Sequence, residues 1–285
     1  AAAVAAQRAG GFPLRPFVTV RPPALAVLMA RAPDLATANL VMKALALAVL
    51  AAWTLRLWPA ARGLLWLAWT PLALFTGVAW AMPGLTLGLF HECWAGLLIA
   101  LSLALRTERR FLAAVIVGLL AALIRELAMP YLLVMAGLAL FESRRSEAIA
   151  FGLALAVSLA ALAAHACQVI ALTSPRDLAS PGWVKFGGWA FVMATAQWNL
   201  LTVLLGKTLT AVITPLALLG AAARKDPLGL RLAALVSGYT LGFMVIGQPN
   251  DFGWGFVVAP LMAVGLALSP LALGQLGRRA LTHPA

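Results

Sequence analysis

Two adjacent ionisable side chains, Arg125 and Glu126, interrupt an apolar run that covers residues 111–140. A charge held at bilayer depth costs about 2.5–3.5 kcal/mol or more, so it is normally placed against a partner, in a water-filled cavity or at an interface. An arginine fork can bind a phosphate group, and a carboxylate can accept a proton or hold a divalent cation. The pair therefore indicates either the tip of a helical hairpin or part of a binding site.

Three further residues have side chains suited to acid–base chemistry. His91 and Glu92 are adjacent at the start of an apolar run, and Asp251 lies in a polar segment with Gln248 and Asn250. Histidine and carboxylates are the usual general acids and bases, so we predict His91, Glu92 and Asp251 as candidate catalytic residues. The structural alternatives are a helix N-terminus for His91 and Glu92, where the helix dipole favours an acid, and a polar turn for Asp251.

Basic residues on the same predicted face could bind an anion. Arg15 and Arg21 lie in the segment FPLRPFVTVRPP, in which proline rings restrict the backbone. Because arginine binds phosphate bidentately, we predict a phosphate-binding set of Arg125, Arg15, Arg21, Glu126 and Lys185. The alternatives are contact with lipid headgroups for Arg125 and a plain loop for Arg15 and Arg21.

The composition indicates what kind of scaffold positions these residues. Hydrophobic residues make up 63% of the 285 residues and charged residues only 11%. A soluble domain is about half apolar and about a quarter charged. The sequence therefore predicts an all-α, multi-spanning helical membrane protein.

The net charge of +12 is distributed in small basic groups between apolar runs. This distribution is typical of cytoplasmic loops under the positive-inside rule, and it favours anionic membrane lipids over nucleic acid as partners. The candidate site residues then all face the opposite, external side. The basic groups are Arg56 and Arg62; Arg106, Arg109 and Arg110; Arg144 and Arg145; Arg224, Lys225 and Arg231; and Arg278 and Arg279.

With the basic groups as inside markers, the apolar runs predict about nine transmembrane helices within a single integral membrane domain, residues 1–285. Residues 1–36 are an external loop with an interfacial segment, and 173–201 are an external loop and a Trp-rich interfacial helix. Residues 37–172 form a first helix group, and 202–285 hold the last three helices. The predicted spans are residues 37–56, 63–82, 89–106, two short helices within 111–140, 148–172, 203–222, 228–246 and 253–275.

Four segments carry a resemblance to a known family. They are GFPLRPFVTVRPPALAVLMA before the first span, HECWAGLLIALSLALR, GLLAALIRELAMPYLLVMAGLAL and the Trp-rich segment before the last spans. In these segments the chain resembles the GT-C glycosyltransferases, in particular bacterial mannosyl- and arabinosyltransferase-like members. The resemblance implies a GT-C-like fold in the bacterial cytoplasmic (inner) membrane and hexosyl or pentosyl transfer from a polyprenyl-phosphate sugar on its outer face.

The resemblance also implies which residues act. Arg125 matches the basic residue that ends a short helix in such proteins, so it is the implied contact of the donor phosphate. The family's catalytic acid usually follows the first span, yet this chain has no acidic residue before Asp34. We therefore expect that helix and acid upstream of Ala1, with Glu92 and Asp251 as substitutes, and a divalent cation is an open candidate cofactor.

Two alternatives come from other functional classes. A transporter or flippase for a lipid or a small anion predicts inverted repeats and helices broken at the membrane midplane. A non-catalytic subunit of a larger membrane complex predicts that Arg125 and Glu126 contact a partner chain. The enzyme interpretation instead predicts that the external polar residues converge on one cavity.

Overall fold

The computed structural model describes residues 1–60, 63–82 and 86–282, and in these residues the protein is all-helical apart from two isolated β-bridges. Short 3-10 segments join many of the α-helices, and the longest of them is Pro249–Val257. The α-helices are α1 (Ala2–Ala9), α2 (Ala24–Met29), α3 (Leu35–Leu57), α4 (Leu64–Thr76), α5 (His91–Leu105), α6 (Leu112–Ile124), α7 (Met129–Phe141), α8 (Arg145–Leu172), α9 (Gly188–Thr195), α10 (Leu200–Ala221), α11 (Pro227–Val245) and α12 (Ala259–Thr282).

Four of the described helices, α3, α8, α11 and α12, are long and apolar enough to cross a membrane. The chain is therefore a helical protein with the features of a membrane protein, as its composition predicted. Helices α4 to α7 contain 13 to 15 residues each, fewer than the roughly 20 that a span requires. The count of about nine spans stays a prediction.

Local sequence signals explain where several helices begin and end. The side chains of Asp34 and Asp226 accept backbone N–H groups at the N-termini of α3 and α11, which are preferred capping interactions. Arg125 has an extended backbone (φ −145°, ψ 120°), and Pro130 lies in the first turn of α7. The predicted interruption of the 111–140 run is thus confirmed, and α6 and α7 are the two short helices.

Some predicted boundaries differ from the observed ones. The last helix begins at Ala259 instead of residue 253, because Pro249–Val257 is a 3-10 helix whose N-terminus is closed by a reciprocal capping box between Gln248 and Asp251. It also continues through Arg278 and Arg279 to Thr282. The predicted turn at Arg62 and helix end at Pro83 lie outside the described residues.

Helices α10 and α12 cross at glycine. A Cβ added to Gly220 would lie 1.9 Å from the carbonyl oxygen of Gly265, and one added to Gly265 would lie 2.2 Å from that of Ala217. Small residues at such crossings let two helix backbones approach closely, which is a common means of packing helices in membranes. This crossing joins the penultimate long element of the bundle to the last.

Gly220→Ala is expected to lower the free energy of unfolding by about 1–3 kcal/mol, because the added methyl group meets backbone atoms that cannot rotate away. The measurement is unfolding by SDS in mixed micelles. Gly238→Ala in α11 is the matched control, since a Cβ there has open space, and its higher helix propensity should stabilise α11 slightly. Equal stability of the two variants would contradict the close crossing.

Helix α5 is central to the bundle and connects two groups of charged residues. Twelve of its 15 residues are buried. Glu92 lies in its first turn, and Arg106 follows its last residue, so the two lie about 22 Å apart along the helix axis. We refer to the two ends of the bundle as the Glu92 end and the Arg106 end.

Candidate functional site

A cleft opens at the Glu92 end of the bundle. It has a volume of about 360 Å³ and is lined by both ionisable and aromatic side chains. We call it the charged cleft, and its main lining residues are Arg21, His91, Glu92, Asn250, Asp251 and Trp254. Three separate parts of the chain therefore supply its walls: the segment before α2, the start of α5, and the 3-10 helix Pro249–Val257.

Glu92 is the centre of the ion pairs in this region. Its Oε1 lies 2.8 Å from Arg125 Nε and 3.3 Å from Arg21 Nη2. Its side chain is 8% exposed, and the positive end of the α5 dipole adds to the stabilisation of its negative charge. Glu92 is therefore held as a carboxylate between two arginines.

Arg125 lies behind Glu92 and is not among the residues that line the cleft. Its side chain is 1% exposed, and its guanidinium also pairs with Glu126. The Cζ atom of Arg125 lies 6.0 Å from the centre of the Trp254 ring, within the range of a cation–π contact. A hydrogen bond from Tyr239 Oη to the Leu127 carbonyl holds the loop that carries this pair. Arg125 therefore positions Glu92 and Trp254 from within the protein.

Arg21 is placed at the cleft by contacts on both sides of it. The amide of Leu14 donates to the carbonyl of Leu178, and the amide of Ser180 donates to the carbonyl of Arg15, so residues 14 and 15 pair with residues 178–180. His165 Nε2 in α8 donates to the Val20 carbonyl at 2.9 Å. The Arg21 side chain is 41% exposed, so part of its guanidinium is accessible to a ligand.

A second ion pair fixes the same N-terminal segment. Arg8 donates through Nε and Nη2 to the two carboxylate oxygens of Asp177, at 2.7 and 2.9 Å. These hydrogen bonds, with one from the Ser174 amide, hold the pKa of Asp177 well below its ordinary value. Asp177 therefore stays ionised at any physiological pH and ties α1 to the loop after α8.

Asp251 differs from Glu92 in its electrostatic environment. The backbone amide of Gln248 donates to Asp251 Oδ2 at 2.8 Å, which fixes the carboxylate in the cleft wall. Burial raises the pKa of Asp251 above its ordinary value, and this effect outweighs the opposing effects of the Gln248 amide and the nearby Arg21 and Arg125. Asp251 is thus a better proton acceptor than an exposed aspartate.

The position of Asp251 depends on a close contact between α5 and the 3-10 helix. A Cβ added to Gly96 would lie 2.1 Å from the carbonyl oxygen of Phe256, so only glycine allows this approach. The Phe256 ring also packs edge-to-face on Trp80, with ring centres 4.8 Å apart. The buried end of the 3-10 helix is thereby fixed on α5, and its polar end is held beside Glu92.

A wider cleft continues from the charged cleft. It has a volume of about 630 Å³ and shares Arg21, Asn250, Asp251 and Trp254 with the charged cleft. We call it the aromatic cleft, because Phe12, Trp183 and Trp254 lie in its walls. Its polar lining includes the side chains of Gln7, Gln248 and Asn250.

An apolar groove of about 490 Å³ lies on the other side of Arg21. It is formed by α2, α6 and α8, and it begins at Pro22, the residue next to Arg21. Its lining is almost entirely apolar, with Val27, Leu28, Leu120 and Leu162 as examples. The charged cleft and the groove therefore meet at the Arg21–Pro22 step.

The structure brings most of the predicted site residues together. Arg21, His91, Glu92 and Asp251 line the charged cleft, and Arg125 and Glu126 pair behind it. Two predicted residues lie elsewhere, since Arg15 and Lys185 line neither the charged nor the aromatic cleft. Arg15 Nε donates to the Asp177 carbonyl at 2.9 Å, and Lys185 is exposed beside a separate pocket with Phe191.

Sequence reasoning missed a buried charge network at the Arg106 end. Arg106 and Arg231 are buried and pair with Glu142 and Glu147, and Arg144 also pairs with Glu147. The basic residues had been assigned to loops exposed to headgroups. A signal was present, because Arg231 lies five residues after the α11 N-cap and so within the helix. Trp254 was also missed, since nothing in GQPNDFGWG distinguishes a cleft residue from an ordinary interfacial tryptophan.

Among the residues that the structure describes, no group of three or more His, Cys, Asp or Glu side chains is arranged to hold a metal ion. A divalent cation as cofactor thus stays a prediction. No protein-family model, curated protein or solved structure matches the chain.

Proposed function

We propose that the chain is a GT-C-type membrane glycosyltransferase that transfers a sugar from a polyprenyl-phosphate donor. One observation carries the proposal: a cleft with an accessible arginine and two carboxylates meets an apolar groove at the Arg21–Pro22 step. A ligand that fills both must have an anionic head and a long hydrocarbon chain. A lipid-linked sugar phosphate has this chemistry.

In the proposed complex, Arg21 binds the donor phosphate. Its guanidinium is pre-oriented by Glu92 and is accessible from the cleft, whereas the buried Arg125 is already occupied by Glu92 and Glu126. This refines the role that the resemblance implied for Arg125. The prenyl chain lies in the groove between α2, α6 and α8, where apolar side chains take the place of lipid tails.

Asp251 is the proposed general base. The acceptor hydroxyl gives its proton to the Asp251 carboxylate while its oxygen forms a bond to the anomeric carbon of the donor sugar. The bond between that carbon and the phosphate oxygen breaks, and the lipid phosphate leaves with the bonding electron pair, stabilised by Arg21. His91 lines the same cleft and completes the polar wall beside Glu92.

The wider setting is part of the proposal. It comprises about nine membrane-crossing helices, a GT-C-like fold and a location in the bacterial cytoplasmic membrane with the cleft on the outer face. The separation of charges supports this orientation, since Arg106, Arg144 and Arg231 cluster at the end of the bundle opposite to Glu92. Positively charged ends of membrane helices normally face the cytoplasm.

Arg21→Ala is expected to raise the KM for a polyprenyl-phosphate sugar by about 10- to 100-fold, because a hydrogen bond to a charged group contributes about 1.5–3 kcal/mol. The assay measures sugar transfer or donor hydrolysis by purified protein in lipid nanodiscs. Arg176→Ala is the matched control, since Arg176 is an exposed arginine in the loop after α8 and lines neither cleft. Equal KM values for the two variants would remove Arg21 from donor binding.

The same preparation separates the alternative functions. A lipid or anion transporter would move a labelled donor across vesicle membranes without forming a product. A non-catalytic subunit would neither bind nor convert the donor. Donor turnover that depends on Arg21 supports the enzyme, and transport without turnover would overturn it.

A further inference from the structure

The aromatic cleft combines features that fit a specific class of ligand. Phe12 is 63% exposed, and the rings of Trp183 and Trp254 lie in the same cleft. Asn250 and Asp251 supply polar groups between these rings. A volume of about 630 Å³ falls within the range of about 300–1,000 Å³ that is typical of ligand pockets.

We propose that the aromatic cleft is the acceptor subsite and that the acceptor is a neutral carbohydrate chain. This inference rests on the proposed function, because it assigns the second substrate of the same site. A sugar ring presents C–H groups on its faces and hydroxyl groups around its rim. Aromatic faces attract C–H groups through their negative quadrupole, while amide and carboxylate groups hydrogen bond to hydroxyls.

The rings are held in place by the backbone around them. The amide of Gly247 donates to the Trp183 carbonyl at 2.7 Å, and the amide of Lys185 donates to the Val245 carbonyl at 3.0 Å. These bonds pair residues 183–185 with 245–247, so Trp183 is fixed relative to the 3-10 helix that carries Trp254. A prearranged pair of aromatic walls lowers the entropy cost of binding.

The charges in the cleft favour a neutral sugar over an anionic one. Arg21 and Asp251 have opposite charges and line both clefts, and Arg21 is required for the donor phosphate. An acidic acceptor would be repelled by Asp251. Because Asp251 lies in both clefts, an acceptor hydroxyl bound between Trp183 and Trp254 is delivered to the proposed base.

The test is binding of labelled mannotriose, arabinotriose and maltotriose to the full chain in nanodiscs, without any donor. We expect saturable binding of at least one of the three. Trp183→Ala should weaken this binding by about tenfold or more, because stacking and burial of one ring face are lost. Trp189→Ala should leave it unchanged, since Trp189 is an exposed tryptophan of α9 outside the cleft.

Asn250→Ala is the second variant, because Asn250 is an exposed loop residue whose truncation leaves the packed core intact. It should also weaken the binding. Absence of saturable binding, unchanged binding in both cleft variants, or displacement by a Ser/Thr-rich peptide only would overturn the inference. Sugar binding that is lost in Trp183→Ala, together with no donor turnover, would support the carbohydrate subsite and contradict the glycosyltransferase.

Discussion

Glu147→Gln is expected to lower the free energy of unfolding by about 3–5 kcal/mol, the range found when one partner of a buried ion pair is removed. Arg106 holds the Glu147 carboxylate with two hydrogen bonds, from Nε at 2.7 Å and Nη2 at 2.9 Å. Arg144 Nε donates to it at 2.6 Å, and Arg231 Nη2 lies 3.5 Å away. The neutral amide would leave two buried arginines with Glu142 as their remaining carboxylate.

The size of this effect follows from what the network connects. Arg106 follows α5, Glu142 follows α7, Glu147 is in the first turn of α8, and Arg231 is in α11. Four helices therefore depend on one set of ion pairs at the Arg106 end. Glu108→Gln is the matched control, because Glu108 is an exposed acid at the same end and its replacement should change stability by less than about 0.5 kcal/mol.

The measurement is SDS-induced unfolding in mixed micelles, followed by tryptophan fluorescence. A double variant, Glu147→Gln with Arg231→Met, should recover part of the loss, because it removes one of the unpaired buried charges. A Glu147→Gln protein as stable as the Glu108→Gln protein would contradict the burial of the network. Such a result would instead place these residues in contact with water.

The sequence predicted those elements whose signals are local. The break between α6 and α7 follows from a charged pair before Pro130, and α3, α8 and α11 follow from apolar runs bounded by polar or capping residues. The end of the 247–255 loop was predicted less well. A capping box and an unbroken 3-10 helix depend on hydrogen bonds that hydropathy does not reveal.

The candidate site was predicted by residue type but not by geometry. Sequence patterns singled out Arg125 because its charge interrupts an apolar run, yet the structure buries it behind Glu92 and leaves Arg21 accessible. Which of two arginines meets a ligand depends on the pairing of residues 14 and 15 with residues 178–180, a contact between distant parts of the chain. The aromatic cleft depends on the same long-range pairing, and for that reason Trp183 carried no signal in the sequence.

Asp251→Asn is expected to lower the kcat of sugar transfer by about 10²- to 10⁴-fold, the usual contribution of a general base. The asparagine side chain retains an oxygen that can accept the Gln248 amide, so the capping box and the fold should persist. Asp251→Glu should restore part of the rate, because it returns a carboxylate. Donor KM should change little, since Arg21 is intact, and a normal kcat in Asp251→Asn would exclude this residue as the base.

The pH dependence gives a readout that a purely structural role would not produce. Burial raises the pKa of Asp251, so the fraction in the carboxylate form, and with it kcat, should fall as the pH is lowered through this raised pKa. Stability should respond in the opposite direction: the folded protein binds this proton more tightly than the unfolded chain, so the contribution of Asp251 to stability grows as the pH falls. An acid limb that is present in the wild type and absent from the residual activity of Asp251→Asn, with a stability trend of opposite sign, would assign the proton transfer to Asp251.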